Sequence, residues 1–343
     1  MLRNFWYVAA TSDELGSAPL ERIICGSPIV LFRKEDGEVA AVQNYCSHRR
    51  APLSAGRVVE DAIECPYHGM QFAADGRCVY IPSQNDIPDR AHIAAFPVVE
   101  RQGLVWLWPG DAAKADTAKV PDLPWRSDPN WCSYKVHYYH VRGSHMLMTE
   151  NLLDLGHVAF IHADTIGFDP VELGDDPLEV RMEGEKIVST RVFRGVKPGP
   201  SVAKWGNFKG LIDRRSKATW SPPCFTSIEF SFGDGTTVLD TRIDHLITPE
   251  TDTTHNYWVA ISRNFKIDDD AFSQKMRDDN DAVHVQDLAI VEAQQRMIDL
   301  VPDYRDMPLR QDRAITLAHR TIARLEQEEA SANDSAKRPQ SVA

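Results

Sequence analysis

Cys46 and His48 stand one residue apart, and sixteen residues later Cys65 and His68 stand two apart, in the run CSHRRAPLSAGRVVEDAIECPYH. Thiolates and neutral imidazoles are both metal ligands. Zinc sites with two of each usually pair Cys with Cys and His with His, about two to five residues apart. Here each pair is mixed, and one has a single residue between its ligands. Mixed pairs suit a [2Fe–2S] cluster in which one iron takes two thiolates and the other two imidazoles, because each of two loops then supplies one ligand to each iron. Pro52, Pro66 and Gly69 beside the ligands fit such loops at the tip of a β-module. Imidazole ligation raises the potential above that of all-thiolate clusters, so the chemistry implied is one-electron transfer.

A second constellation lies in ENLLDLGHVAFIHADTIG, residues 150–167, which holds Asn151, Asp154, His157 and His162. Two histidines five positions apart advance about 500° on an ideal helix, so their imidazoles point roughly 140° apart. They meet at one ion only if the helix bends or ends between them, and Gly156 is well placed to help. Asp154 and His157, at i and i+3, share a face. Two histidines and one carboxylate, leaving cis positions open, form the ligand set of mononuclear non-haem Fe(II) oxygenases.

The elements that must position these residues follow from composition and turn signals. At 343 residues the chain exceeds one hydrophobic core and reads as two domains. Short apolar runs between residues 23 and 110 are separated by Asp36-Gly37 and Asp75-Gly76 and closed by Pro109-Gly110, which describes an all-β module. DAAKADTAKVPDLP reads as a linker. Strand-like SYKVHYYHV, a helical HMLMTENLLDLGHVAF, further strands through TSIEFSF and TTHNYWVAISRNF, and a long helical pattern from Asp270 to about Leu300 then make an α+β domain. The expected division is 1–115, 116–325, and a disordered tail over 326–343.

A net charge of −12 argues against nucleic acid as partner. No run of eighteen apolar residues occurs and the N-terminus lacks the features of a signal peptide, so the expectation is a cytoplasmic protein without a membrane span. Six scattered cysteines do not make a disulfide framework. No Gly-x-Gly-x-x-Gly follows a strand, so nicotinamide and flavin sites belong on another protein.

The whole arrangement resembles the α subunits of Rieske non-haem iron oxygenases, in the branch of vanillate O-demethylase, dicamba monooxygenase and toluenesulfonate methyl-monooxygenase. The resemblance runs through RNFWYVAA, NYCSHRRAPLSAGRV, ECPYHGMQF, FPVVERQGLVWLWPGD, NLLDLGHVAFIH, HLITPETDTTHNYW and SRNF to the helix around Asp287. It implies an N-terminal Rieske [2Fe-2S] domain followed by an α+β catalytic domain, whose antiparallel sheet is covered by helices in a helix-grip manner. It implies Cys46, His48, Cys65 and His68 as cluster ligands and His157 and His162 as iron ligands. The third iron ligand is implied at Asp287, with Asp278, Asp279 and Asp281 close by in sequence. Asp154 is implied to bridge His157 and a cluster histidine, His68, of the next subunit in a homotrimer. Asn151 lines the iron pocket or caps a hydrogen bond. His245 matches a substrate-contacting histidine, or is a histidine on an inward strand face. Trp205, Phe208, Trp220 and Phe225 are pocket walls or core. The resemblance further implies Fe(II), O2, an aromatic substrate and a separate NAD(P)H-dependent reductase carrying flavin and a [2Fe-2S] centre. The reaction implied is O-demethylation of a vanillate-like aromatic acid to a phenol and formaldehyde. The alternatives are methyl or ring hydroxylation of another aromatic, or an electron carrier without oxygenase activity.

Overall fold

The computed structural model describes residues 1–175 and 178–337 and divides the chain into two compact units. The first comprises Met1–Asp122 and Thr248–Thr251, the second Leu123–Ile247 and Asp252–Ala343. The expected boundary at 115/116 thus falls seven residues early, because the 3-10 turn Thr117–Lys119 still belongs to the first unit and Arg101 donates to the Thr117 and Val120 carbonyls.

In the first unit ten short strands follow one another: β1 (Tyr7–Thr11), β2 (Leu20–Ile24), β3 (Ser27–Arg33), β4 (Val39–Gln43), β5 (Arg57–Val59), β6 (Ala62–Glu64), β7 (Gln71–Ala73), β8 (Cys78–Tyr80), β9 (Val98–Arg101) and β10 (Leu104–Leu107). They form three sheets, in the orders β1-β10-β9, β2-β3-β4 and β5-β6-β7-β8. The turns between β3 and β4 and between β7 and β8 carry Gly37 (φ +84) and Gly76 (φ +86), the positive-φ positions that Asp-Gly turns supply. A core of Val30, Phe32, Val42, Leu53, Ile63 and Phe72 closes around Cys46 and Cys65.

The second unit holds β11 (Cys132–Ser133), β12 (His137–Val141), α1 (His145–Leu153), α2 (Val158–Ile161), β13 (Glu179–Glu183), β14 (Lys186–Val196), α3 (Pro200–Gly206), β15 (Ile212–Ser221), β16 (Phe225–Gly233), β17 (Val238–Pro249), β18 (His255–Arg263), α4 (Asp270–Leu300) and α5 (Arg313–Lys337). Its sheet runs β11-β18-β17-β16-β15-β14-β13, with β12 also paired to β18. β15 alternates buried and outward-facing residues, the period of a strand with one face on a core. On α4 the buried residues Met276, Asn280, Val283, His284, Asp287, Val291 and Gln295 recur at helical spacing and form one stripe. That stripe carries a carboxylate, an imidazole and two amides, which is unusual for a face turned away from water.

One expectation needs correction. Residues 326–337 are not a disordered tail but the last turns of α5, where Ala and Glu are good helix formers and Arg324 pairs with Glu328 at i, i+4. Residues 338–343 lie outside the described part. Of the four aromatics read as pocket wall or core, Trp205 lines the apolar pocket and Trp220 packs with Leu153, Ile187, Ala314 and Ala318.

On the opposite face of β17 from His245, Asp244 is fully buried and accepts hydrogen bonds from Trp125 Nε1 and Ser227 Oγ, each at 2.7 Å. Burial outweighs these bonds and the nearby Arg126 and Arg242, and pushes its carboxyl from 3.8 up to about 7. The folded chain therefore holds a proton that the unfolded chain releases, so stability falls as pH rises from about 4 to about 7. The slope from this group reaches about 1.4 kcal/mol per pH unit. Asp244→Asn should flatten that fall, measured by urea unfolding at pH 5 and pH 8; an unchanged difference between the two pH values would show that Asp244 does not carry it.

Candidate metal centres

The two Cys/His loops share one backbone design. In the first, Cys46 N–H donates to the Ala51 carbonyl at 3.0 Å and Arg50 N–H to the Cys46 carbonyl at 2.9 Å. In the second, Cys65 N–H donates to the Met70 carbonyl at 2.8 Å and Gly69 N–H to the Cys65 carbonyl at 3.0 Å. The fourth residue after each cysteine is left-handed, Arg50 at φ 58 and Gly69 at φ 70. Both cysteines are buried, both histidines are exposed, and the His48 and His68 rings lie 4.8 Å apart. Burial, opposed by the His48 N–H and reinforced by the adjoining Cys65 thiol, pushes the Cys46 thiol up to about 11. Two adjoining thiols below two adjoining imidazoles match the donor set of a cluster with one iron on sulfur and the other on nitrogen.

The second constellation is built by a broken helix. Ser144 caps α1, accepting from Met146 N–H at 3.3 Å. The helix stops at Asp154 (φ −105, ψ 89), whose carboxylate caps the next 3-10 turn by accepting from Gly156 N–H at 2.9 Å. A Cβ on Gly156 would lie 3.0 Å from that carboxylate oxygen, so glycine permits the close cap. α2 is then a single turn with His157 before it and His162 after it.

Both rings turn to Asp287, which is 6% exposed on α4. Its Oδ1 lies 3.1 Å from His162 Nε2, 3.4 Å from His157 Nε2 and 3.1 Å from Asn151 Nδ2. The three ligand atoms all lie within 4.8 Å of one another. Each imidazole is fixed from behind: His162 Nδ1 donates to Gln286 Oε1 at 2.8 Å and His157 Nδ1 to the Asp154 carbonyl. An oxygen acceptor at Nδ1 places the proton there and the lone pair on Nε2, the arrangement of a metal-ligating histidine. Burial pushes Asp287 up, but His162, His157 and Asn151 outweigh it and hold the carboxyl below its ordinary range. Burial lowers His157, whereas Asp287 raises His162 in spite of burial.

Asp278 and Asp279 are engaged instead by Gln274 and Lys275, and Asp281 by Tyr139. The Asp154 carboxylate does not itself reach His157; its oxygens accept from Gly156 N–H and Gln311 Nε2, with Arg191 at 3.8 Å. His245 is buried with its Nδ1 2.6 Å from the Tyr257 hydroxyl. The sequence reading missed Gln286, Gln311, Tyr257 and His284. His284 was accessible through helical spacing, since it precedes Asp287 by three residues on α4, whereas Gln286, one residue away, lies off that face.

A chain bearing both centres is of the class of Rieske-type oxygenases. Residues 5–97 match the Rieske [2Fe-2S] domain and residues 141–328 the vanillate O-demethylase oxygenase C-terminal domain, so the chain belongs to this oxygenase family. Over 355 residues it is 33% identical to a vanillate O-demethylase oxygenase subunit of Pseudomonas sp. (strain HR199 / DSM 7063), covering 97% of each chain. It is 33% identical to the toluene-4-sulfonate monooxygenase system iron-sulfur subunit of Comamonas testosteroni over 336 residues, 94% of this chain and 96% of that one. A crystal structure of dicamba monooxygenase with non-heme iron and dicamba superposes with a TM-score of 0.83 at 34% identity, over 97% of this chain and 99% of that one. The chain is thus the oxygenase component of a Rieske system.

At Gly69 the left-handed backbone and the Pro82 ring, 3.0 Å from where a Cβ would stand, both oppose a side chain. Gly69→Val should cost about 1–3 kcal/mol locally and lower acid-labile sulfide per chain. Gly16→Ala, with nothing within 4 Å, should keep the full load. Equal sulfide in both variants would show that the second loop tolerates strain.

Proposed function

We propose that this oxygenase O-demethylates a methoxylated aromatic acid of the vanillate type, with O2 and electrons from a separate NAD(P)H-dependent flavin/[2Fe-2S] reductase. The observation that carries the reading is the convergence of His157, His162 and Asp287 in a chain whose other unit pairs buried thiols with exposed imidazoles. Cys46, His48, Cys65 and His68 would hold the [2Fe-2S] cluster, and His157, His162 and Asp287 the Fe(II). When bound, the cluster supplies single electrons and the iron supplies reduction of O2 beside the substrate. Overall, the ether ArOCH3 takes up O2, two electrons and two protons to give ArOCH2OH and water, and the hemiacetal collapses to ArOH and formaldehyde.

The chain's own residues orient these parts. Asn151 holds the Asp287 carboxylate by its Oδ1, and Gln286 and the Asp154 carbonyl hold the two imidazoles. His245 stands directly across from Thr226, and Thr226 from Trp220, on three adjacent strands. Their inward atoms His245 Nε2, Thr226 Oγ1 and Trp220 Nε1 are buried without hydrogen-bond partners among the described residues. Buried polar groups are normally paired, so this row fits a substrate oxygen, carboxylate or phenol. The apolar pocket lined by Phe168, Trp205, Phe230, Ile243 and Ile261 suits an aromatic ring.

In this reading Asp154 acts between subunits of a homotrimer, carrying electrons from His68 of one subunit toward His157 of the next. Support comes from a groove in which Asp154 and His157 lie beside exposed Met297, Ile298 and Met307, an apolar surface of the kind that partners cover. No helix among the described residues is long and apolar enough to cross a membrane, in keeping with a cytoplasmic enzyme.

His162→Ala should remove the mononuclear iron, abolish turnover and leave the cluster's visible absorbance intact; retained turnover overturns the site. Asp154→Asn should keep both metals yet slow reoxidation of the reduced cluster by O2 and substrate at least tenfold, read by stopped-flow absorbance, and an unchanged rate removes Asp154 from the electron path. Incubation with reductase, NADH, O2 and vanillate should give formaldehyde and a phenol in equal amounts. No formaldehyde from vanillate, together with a benzylic alcohol from an aryl-methyl acid such as toluene-4-sulfonate, points instead to methyl hydroxylation.

A further inference from the structure

Arg214 lines the apolar pocket from β15, and among the described residues lining it Arg214 alone carries a charge. Its guanidinium lies 4.0 Å above the Phe168 ring and 4.4 Å above the Phe193 ring, and its NH2 donates to Glu172 Oε2 at 3.0 Å. Ser216 and Thr241 line the same pocket, and Asn280 enters it from α4. Asn280 precedes Asp287 by seven residues, two turns or about 10 Å along the helix axis. Leu155 and Val158, which flank His157 in sequence, line the same pocket as this guanidinium, which rests against two aromatic rings.

Accepting the O-demethylase reading above, we propose that Arg214 is the specificity-determining anchor for the substrate's acid group. The acid takes the place of the Glu172 carboxylate on the guanidinium, while the methoxy end of the ring lies toward Asp287. A buried guanidinium is costly unless an anion meets it, and its planar fork matches a carboxylate. Glu172 supplies that anion within the chain, so an acid substrate exchanges one carboxylate for another, whereas an uncharged ring gains nothing from the site. The row of His245, Thr226 and Trp220 is then left for the phenol or ether oxygen.

The test is calorimetric titration of the anaerobic holoenzyme with vanillate and with its amide. Wild type should bind the acid more tightly by a factor on the order of 10 to 100. Arg214→Met should lose that preference and keep the amide affinity, with the loss for vanillate appearing in KM more than in kcat. Glu172→Gln should tighten the acid severalfold by removing its competitor. An Arg214→Met enzyme that still prefers the acid overturns the anchor. So does a Glu172→Gln enzyme with unchanged or weaker acid binding, which decides the matter should Arg214→Met fail to fold. Wild type that binds acid and amide equally, yet releases formaldehyde from an uncharged methoxyarene, overturns the anchor and leaves the O-demethylase standing. An acid preference that depends on Arg214 without any formaldehyde does the reverse.

Discussion

The Asp287 carboxylate, kept ionised inside the second unit, is the interaction on which the site depends. A buried anion is costly unless it is met by donors or cations. Here one oxygen gathers two imidazoles and an amide, drawn from α1 and from either end of α2. The rest of the helical layer serves this convergence: α4 places the carboxylate in a buried stripe, and the break after α1 turns the two histidines toward it. Without a carboxylate at that point, one buried and one half-buried imidazole would face each other with no shared partner.

The break itself rests on Asp154, which does two local jobs with different atoms. Its carboxylate caps the turn that begins there, and its carbonyl fixes the ring of His157 three residues on. Backbone geometry and ligand tautomer are therefore set together, so a side-chain change at 154 that spares the cap leaves the carbonyl contact in place. This separates any role of the carboxylate in electron transfer from its role in shaping the metal site.

Much of this architecture was legible in the sequence. The Asp-Gly turns, the Cys-x-His and Cys-x-x-His loops and the long helix from Asp270 follow from local rules of turn chemistry, ligand spacing and helical period. The need for a bend between His157 and His162 could also be argued from 100° per residue, although the bend lies just ahead of His157, at Asp154, and α2 ends at His162. What could not be read was which distant groups meet. Gln286 behind His162, Tyr257 against His245 and Glu172 on Arg214 are separated by 124, 12 and 42 positions, and only the sheet register and the helix stripe bring them together. The tail misled because a polar Ala/Glu-rich segment has the composition of a disordered chain and also that of a solvated helix; neither contains the apolar residues that would tell them apart.

The two Cys/His loops sort their side chains by depth. Each sulfur is sunk in the core of the first unit with Ile63, Met70 and Phe72, while each imidazole stands at the surface, that of His68 beside the exposed ring of Tyr67. Another protein can therefore touch the histidine edge but not the sulfur edge. The same sorting leaves water at the imidazole edge and keeps it from the thiols.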